Sequence, residues 1–251
     1  MARSLPAPPP LDSGAALFLD VDGTLLEIAE RPDRVQVPSA LLALLNNVAQ
    51  QREGALALVS GRPLHELDRL FRAWRGAAAG LHGIERRRAN GGLDNRIDHQ
   101  ATAALDRIRP TLAALASPGS GLILEDKGGT VALHYRAAPD RGDEILALAK
   151  ALERGASPAL RLIAGKMVVE FQPRGADKGT TIAAFLGEPP FLGRRPVFIG
   201  DDVTDEDGFA EINRRQGVAI RVGRFGETCA RCALTSVAAV LAWLAGHQEP
   251  S

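Results

Sequence analysis

Leu17-Phe18-Leu19-Asp20-Val21-Asp22-Gly23-Thr24-Leu25 carries an apolar run straight into two acids separated by one residue. In an extended backbone residues i and i+2 point to the same side, so Asp20 and Asp22 address one site. Gly23 then permits a sharp exit from the strand. Capping of the segment after Gly23 accounts for one acid but not for two on one side. A metal-binding pair, or a nucleophile with a general acid, accounts for both.

Two further apolar runs end in the same manner. Residues 55–59 lead into Ser60-Gly61-Arg62, and Val197-Phe198-Ile199 leads into Gly200-Asp201-Asp202. With 15–19 they have the length and unbroken apolarity of strands covered on both faces, which predicts a parallel α/β sheet. Helical patterns cover 39–50 after Pro38, 63–74 opening on Pro63, 177–186 stopping at Gly187 and 237–245 stopping at Gly246. Ligands of open α/β sheets bind beyond the carboxyl ends of the strands, so these three strand ends are expected to converge.

The middle of the chain reads differently. A helix is expected over 101–116, then a hairpin of 122–126 and 130–136 around Lys127-Gly128-Gly129. A second helix over 141–154, ending at Gly155, precedes a strand pair, 160–162 and 166–172, around Gly165. Met167, Val169 and Phe171 alternate with Lys166, Val168, Glu170 and Gln172; Val131, Leu133 and Tyr135 alternate with Ala132, His134 and Arg136. This predicts an antiparallel sheet with helices on one face and polar side chains on the other. It forms an α+β module over 98–173, inserted into an α/β core of 13–97 and 174–251.

The 251 residues carry 30 Lys plus Arg against 30 Asp plus Glu and 45% hydrophobic residues. That describes a globular chain with no basic footprint for nucleic acid or a membrane surface. Residues 1–12 are proline-rich, lack the apolar region of a signal peptide and read as a disordered leader. No apolar stretch reaches transmembrane length. Cys229 and Cys232 are too few for a zinc site and read as packing residues on one helix face, in keeping with a reducing cytoplasm.

If Asp20, Asp22 and Asp201 converge, like charges about 4 Å apart repel by roughly 4 kcal/mol per pair at an effective dielectric near 20. A cation must offset that repulsion, and oxygen ligands favour Mg²⁺. Lys178 precedes a helix N-terminus, a place that favours anions. Ser60 reads either as a turn former or as a phosphate donor.

These motifs, Asp20-Val21-Asp22-Gly23-Thr24, Ser60-Gly61-Arg62, Lys178 and Gly200-Asp201-Asp202-Val203-Thr204-Asp205-Glu206, resemble in order the four motifs of the haloacid dehalogenase superfamily of phosphohydrolases. The inserted module resembles that superfamily's C2-type cap. Within it, Gly80-Leu81-His82-Gly83-Ile84-Glu85, Glu125-Asp126-Lys127, Leu133-His134-Tyr135-Arg136 and Glu170-Phe171-Gln172-Pro173 resemble the trehalose-6-phosphate phosphatase subfamily.

The resemblance implies a Rossmann-like core with an α+β cap and a phosphoric monoester hydrolase. Asp20 is then the nucleophile, and Asp22 the acid and base. Mg²⁺ is held by Asp20, the Asp22 carbonyl and Asp201, with Asp202 and Asp205 orienting metal waters or Lys178. Ser60 and Lys178 neutralise the phosphate. Substrate binding falls to Ser60, Arg62 and Lys178 and, on the cap, to Glu125, Lys127, His134, Arg136 and Glu170. The implied substrate is a phosphorylated disaccharide supplied by a trehalose-6-phosphate synthase, and a cytoplasmic monomer is expected. Other C2-capped phosphatases, acting on sucrose phosphate, mannosyl-phosphoglycerate or a monosaccharide phosphate, share the core motifs. A non-catalytic sugar-phosphate sensor would usually have lost Asp20 or Asp22.

Overall fold

The computed structural model describes residues 5–28, 37–72, 74–96, 99–165, 167–223 and 226–246. It divides into two compact units, Met1–Asp94 with Asp177–Ser251, and Asn95–Ala176. None of the described helices is long and apolar enough to cross a membrane.

In chain order the first unit contains β1 (Ala16–Leu19), α1 (Ser39–Gln51), β2 (Leu56–Val59), α2 (Leu64–Leu70), β3 (Ala77–Gly80), β4 (Glu85–Arg87) and β5 (Leu93–Asn95). The second follows with α3 (His99–Leu115), β6 (Ile123–Asp126), β7 (Val131–His134), α4 (Gly142–Ala156), β8 (Leu160–Gly165) and β9 (Val168–Pro173). The first resumes with α5 (Lys178–Leu186), β10 (Pro196–Gly200), α6 (Glu206–Arg214), β11 (Val218–Val222), β12 (Cys232–Leu234) and α7 (Val237–Leu244).

The strand order β12-β11-β10-β1-β2-β3-β4-β5 puts β1 at the centre of the first unit's sheet. Alternate β1 residues enter opposite cores, which explains the unbroken apolar run. Leu17 and Leu19 pack with Leu45 and Val48 of α1 and Trp243 of α7. Ala16 and Phe18 pack with Phe185 of α5 and Phe209 of α6. Phe18, Phe185 and Phe191 form an aromatic group with centroids 5.2–6.1 Å apart, each buried ring contributing about 1.5–3 kcal/mol. Parallel register sets Leu19 beside Ile199 of β10 and Leu58 of β2. The three chemistry-bearing ends therefore emerge side by side.

Several expectations need correction. The sheet is mixed, because β4 runs antiparallel to β3. β3, with the sequence Ala-Ala-Ala-Gly, has none of the branched residues that announce a strand. At its last residue neighbours leave no room for a side chain: a Cβ on Gly80 would stand 2.6 Å from the Leu64 nitrogen. Cys232 opens β12 and exposed Cys229 precedes it, so they share no helix face. The leader is docked where it is described: the Pro6 carbonyl accepts from Ala233 N at 3.0 Å, and Pro9 O from the Trp243 indole at 3.0 Å. Proline-rich backbone is extended and keeps its carbonyls free to accept such bonds.

The second unit, taken by itself, is an antiparallel sheet of order β6-β7-β9-β8. Ile108 of α3 and Ile145 of α4 pack against Leu133, Val169 and Phe171. Cross-strand register puts Glu125 and Glu170 opposite Ala132 and so on one face with His134. β7 ends at His134, leaving Arg136 in an exposed turn, and Gln172 is buried. Lys166 lies outside the described residues.

Arg86, Arg87 and Arg88 are each ion-paired, Arg87 with Asp68 at 2.5 Å. Buried Arg86 pairs with Asp94 at 2.6 Å and Glu188 at 2.9 Å, 5.0 Å above the Phe185 ring, and Arg88 reaches Asp94 at 2.6 Å. Hydrogen bonds from Arg88 and then Arg86 lower the Asp94 pKa to about 2. In the unfolded chain the group titrates near 3.9, so its contribution is complete above about pH 4 and is lost as the pH falls toward about 2. Urea unfolding across pH should find Asp94→Asn less stable than the parent by a constant margin above about pH 5 that shrinks below about pH 4. A margin independent of pH would contradict the assignment.

Candidate active site

Asp20 continues β1 by one residue, its N–H donating to Ile199 O at 3.0 Å. Its buried carboxylate accepts from Lys178 Nζ at 2.7 Å through Oδ1 and from Thr24 Oγ1 at 3.3 Å through Oδ2. Lys178, 2% exposed, also donates to Asp205 Oδ1 at 2.5 Å. It is the first residue of α5, whose capping box is closed by Asp177 and Thr180. Helix start and lysine placement are thus one local structure.

The fourth motif folds as a turn. Asp202 and Asp205 form a reciprocal capping box, with Asp202 N donating to Asp205 Oδ2 at 2.8 Å. Asp202 is exposed and caps this turn, whereas Asp205 is fully buried and grips Lys178. The expected common role of these two acids therefore falls to Asp205 alone as regards the lysine.

Asp20, Asp201 and Asp205 each bring a carboxylate oxygen within 4.8 Å of the others. At that spacing two carboxylates repel by roughly 3–4 kcal/mol at an effective dielectric near 20. Burial, opposed by Lys178 but reinforced by Asp205 and Asp201, raises the Asp20 pKa well above the usual carboxylate range. Burial and then the Asp205 charge push Asp201 up to about 7. Burial pulls the Lys178 pKa down, but the charges of Asp20 and Asp205 outweigh it and the net shift is upward. One ammonium serves three acids. Asp201 Oδ1 is buried and accepts no hydrogen bond among the described residues. This all-oxygen group with an unsatisfied acceptor fits a hard divalent cation.

The Asp22 carboxylate stands outside that trio. Arg62 grips it with a two-pronged fork, Nε to Oδ2 at 2.6 Å and Nη2 to Oδ1 at 2.7 Å, and lies 3.3 Å from Glu66. Arg62, expected on the substrate, is thus engaged with Asp22. Buried Ser60 accepts from Arg62 N at 3.1 Å, which leaves its hydroxyl hydrogen available as a donor. Glu85 Oε2 accepts from Leu64 N at 2.7 Å and caps α2. The buried His82 sits at φ 55° beneath Gly61, where a Cβ would stand 2.8 Å from its ring.

On the second unit, His134 Nε2 lies 2.9 Å from Glu125 Oε2, and Lys127 Nζ lies 3.6 Å from both Glu125 and Glu170. Burial opposes the Glu125 charge, yet the His134 contact and the Lys127 charge win and lower its pKa. Lys127 is raised against burial by Glu170 and then Glu125. Arg136, in its exposed turn, stands outside this ion-paired group.

A family model described as trehalose-phosphatase matches residues 18–235, from within β1 to just beyond β12. The chain belongs to the trehalose-phosphatase family. Among its relatives, a probable trehalose-phosphate phosphatase of Sinorhizobium fredii is 48% identical over 208 residues, covering 83% of this chain and 77% of that protein. The trehalose-6-phosphate phosphatase of Escherichia coli is 44% identical over 244 residues, covering 97% and 90%. The C-terminal domain of trehalose-6-phosphate phosphatase from C. albicans superposes with a TM-score of 0.83 at 20% identity over 97% of each chain, a likeness of fold. A haloacid dehalogenase-like hydrolase of Bacteroides thetaiotaomicron shares the fold at a TM-score of 0.64 and 14% identity, over 92% of this chain and 98% of that one. This member of the trehalose-phosphatase family is accordingly a phosphoric monoester hydrolase with a haloacid dehalogenase-type α/β fold.

Gly23 keeps the acid cluster compact. Its φ is +81°, and a Cβ would stand 2.1 Å from Asp201 Oδ2. Gly23→Ala should therefore displace Asp201 and lower kcat by about a hundredfold, the scale expected for misplacing a catalytic group by about 1 Å. A steady-state kcat within about twofold of the parent would contradict this role.

Proposed function

We propose that this enzyme hydrolyses trehalose 6-phosphate to trehalose and inorganic phosphate with Mg²⁺, through an aspartyl-phosphate on Asp20. The observation that carries the chemistry is the buried Asp20 carboxylate at the strand tip, oriented by Lys178 and Thr24, with Asp22 two residues on. In the first step an Asp20 oxygen attacks phosphorus, the bond to the sugar oxygen breaks, and Asp22 delivers a proton to that oxygen. In the second, Asp22 takes a proton from water, which attacks the phosphorus and returns Asp20 as a free carboxylate. Arg62 holds Asp22 in one orientation for both transfers.

Lys178 and the Ser60 hydroxyl supply positive charge and a donor to the phosphoryl oxygens as charge spreads over them. Asp20, the Asp22 carbonyl and Asp201 would hold Mg²⁺, with Asp205 beside them. When bound, the ion neutralises phosphate and carboxylate charge. Trehalose as the sugar is supported by kinship to the two bacterial relatives and by the Glu125, Lys127, His134 and Glu170 group. Carboxylates and cationic donors of that kind read hydroxyl patterns that apolar surfaces discriminate poorly. The unit carrying them, Asn95–Ala176, is assigned the role of a substrate-recognising cap. We place the enzyme in the cytoplasm as a monomer that consumes the product of a trehalose-6-phosphate synthase; its two free thiols suit a reducing compartment.

Phosphate release from trehalose 6-phosphate, sucrose 6-phosphate and glucose 6-phosphate, with Mg²⁺ and with EDTA, tests this reading. The first substrate should be strongly preferred, and chelation should abolish turnover. Equal rates on all three would remove the disaccharide assignment, and EDTA-resistant turnover would remove the metal. Glu125→Gln should lower kcat/KM for trehalose 6-phosphate about tenfold or more, the scale of one lost charged hydrogen bond, while sparing a small aryl phosphate. An equal loss on both substrates would argue against a sugar contact.

A further inference from the structure

The fourth motif crowds Asp201, Asp202, Asp205, Glu206 and Asp207 into seven residues. Lys178 offsets this charge from one side, through Asp205. Arg221 offsets it from another. It lies on β11 directly across from Gly200 of β10 and is 8% exposed. Its Nη1 donates to the Asp202 carbonyl at 2.7 Å and lies 3.3 Å from Glu206 Oε1. Glu206 also accepts from Thr228 Oγ1 and from Cys229 N, both at 2.7 Å. Polar contacts therefore run from residues 228–229 through Glu206 and Arg221 to Asp202. From there the Asp202–Asp205 capping box continues to Lys178 and Asp20.

We propose that Arg221 and Glu206 are positioning residues that set the Asp201–Asp205 turn and thereby the acid cluster that grips Lys178 and the divalent cation. The proposal rests on the phosphatase reading above and adds to it two residues that do not touch the reacting atoms. Asp202 contributes to the turn through both of its backbone polar groups: its N–H donates to Asp205, and its carbonyl accepts from Arg221. If the Arg221 bond is removed, the turn can rotate and carry Asp205 away from the lysine. If Glu206 is neutralised, the 3.3 Å contact of Arg221 loses its charge in a nearly buried setting, where charge-assisted bonds are the strong ones, and Thr228 and Cys229 lose their anionic acceptor. A packing role alone would be indifferent to the charge of Glu206.

The test compares Arg221→Met, Glu206→Gln and Arg221→Lys with the parent in kcat, KM, the Mg²⁺ concentration for half-maximal rate, and the rise in unfolding temperature produced by Mg²⁺. Arg221→Met and Glu206→Gln should each lower kcat and raise the half-saturating Mg²⁺ by about tenfold or more, in rate and in thermal shift alike, with KM changed by less than about twofold. Arg221→Lys should recover part of both, because an ammonium still donates to the carbonyl. Arg214→Gln, which removes an exposed arginine paired with Glu211 on the same helix, should change neither. Parental kcat and parental Mg²⁺ response in Arg221→Met or Glu206→Gln would overturn the proposal. If Arg221→Met fails to fold, Glu206→Gln and Arg221→Lys decide it by the same readouts. An inactive parent would instead contradict the phosphatase reading, and the thermal response to Mg²⁺ would still test the positioning role of Arg221 and Glu206.

Discussion

One ammonium group, Lys178 Nζ, stands 2.7 Å from Asp20 and 2.5 Å from Asp205, and the acid cluster at the carboxyl end of β1 is arranged around it. Without it, three carboxylates within 4.8 Å would repel by roughly 3–4 kcal/mol per pair at an effective dielectric near 20. With it, one repulsive set becomes an ordered one in which Asp205 accepts at both oxygens, Asp20 is oriented, and Asp201 keeps an unsatisfied oxygen. That residual acceptor is what a cation would complete. The same ion pair joins two stretches of chain 158 residues apart, so the inserted unit must return the chain to the correct place before the site exists.

The lysine is delivered by packing as much as by charge. α5 is anchored by Ile182 and Phe185 in the core beneath the sheet, and Thr181 donates to the His82 carbonyl at 3.3 Å. Gly179, next to the lysine, lets α5 approach α6 closely: a Cβ there would stand 2.4 Å from the Asp207 carbonyl. The helix that carries Lys178 and the helix that follows the acidic turn are thus in direct backbone contact. Small changes in that contact translate into the Lys178–Asp205 distance, which is why close packing and electrostatics are inseparable at this site.

The strands whose ends carry chemistry announced themselves because continuous apolarity marks a strand buried on both faces, as in β1, β2 and β10. The alternation of Val131, Leu133, Val169 and Phe171 similarly gave the second unit's sheet, since period two survives wherever one face is solvated. β3 escaped notice because its four small residues carry no branched-residue signal, and at Gly80 the cause is crowding from Arg62 and Leu64, a tertiary contact that leaves no local pattern. The contacts of Arg62 and Asp202 were not legible in the sequence for a related reason. Motif spacing brings residue types together, but only three-dimensional geometry decides that Arg62 clasps Asp22 and that Asp202 caps a turn. Arg221 and Glu206 belong to the same class: they are joined by sheet register, not by neighbouring positions in the chain.

The central claim is that Asp20, oriented by Lys178, accepts the phosphoryl group. Its most direct test is kcat for Asp20→Asn on trehalose 6-phosphate, with circular dichroism verifying the fold. An amide of the same shape cannot act as the anionic nucleophile, so turnover should fall by roughly four orders of magnitude while the folded spectrum is retained. A folded Asp20→Asn enzyme that keeps a substantial part of the parental kcat would contradict the account.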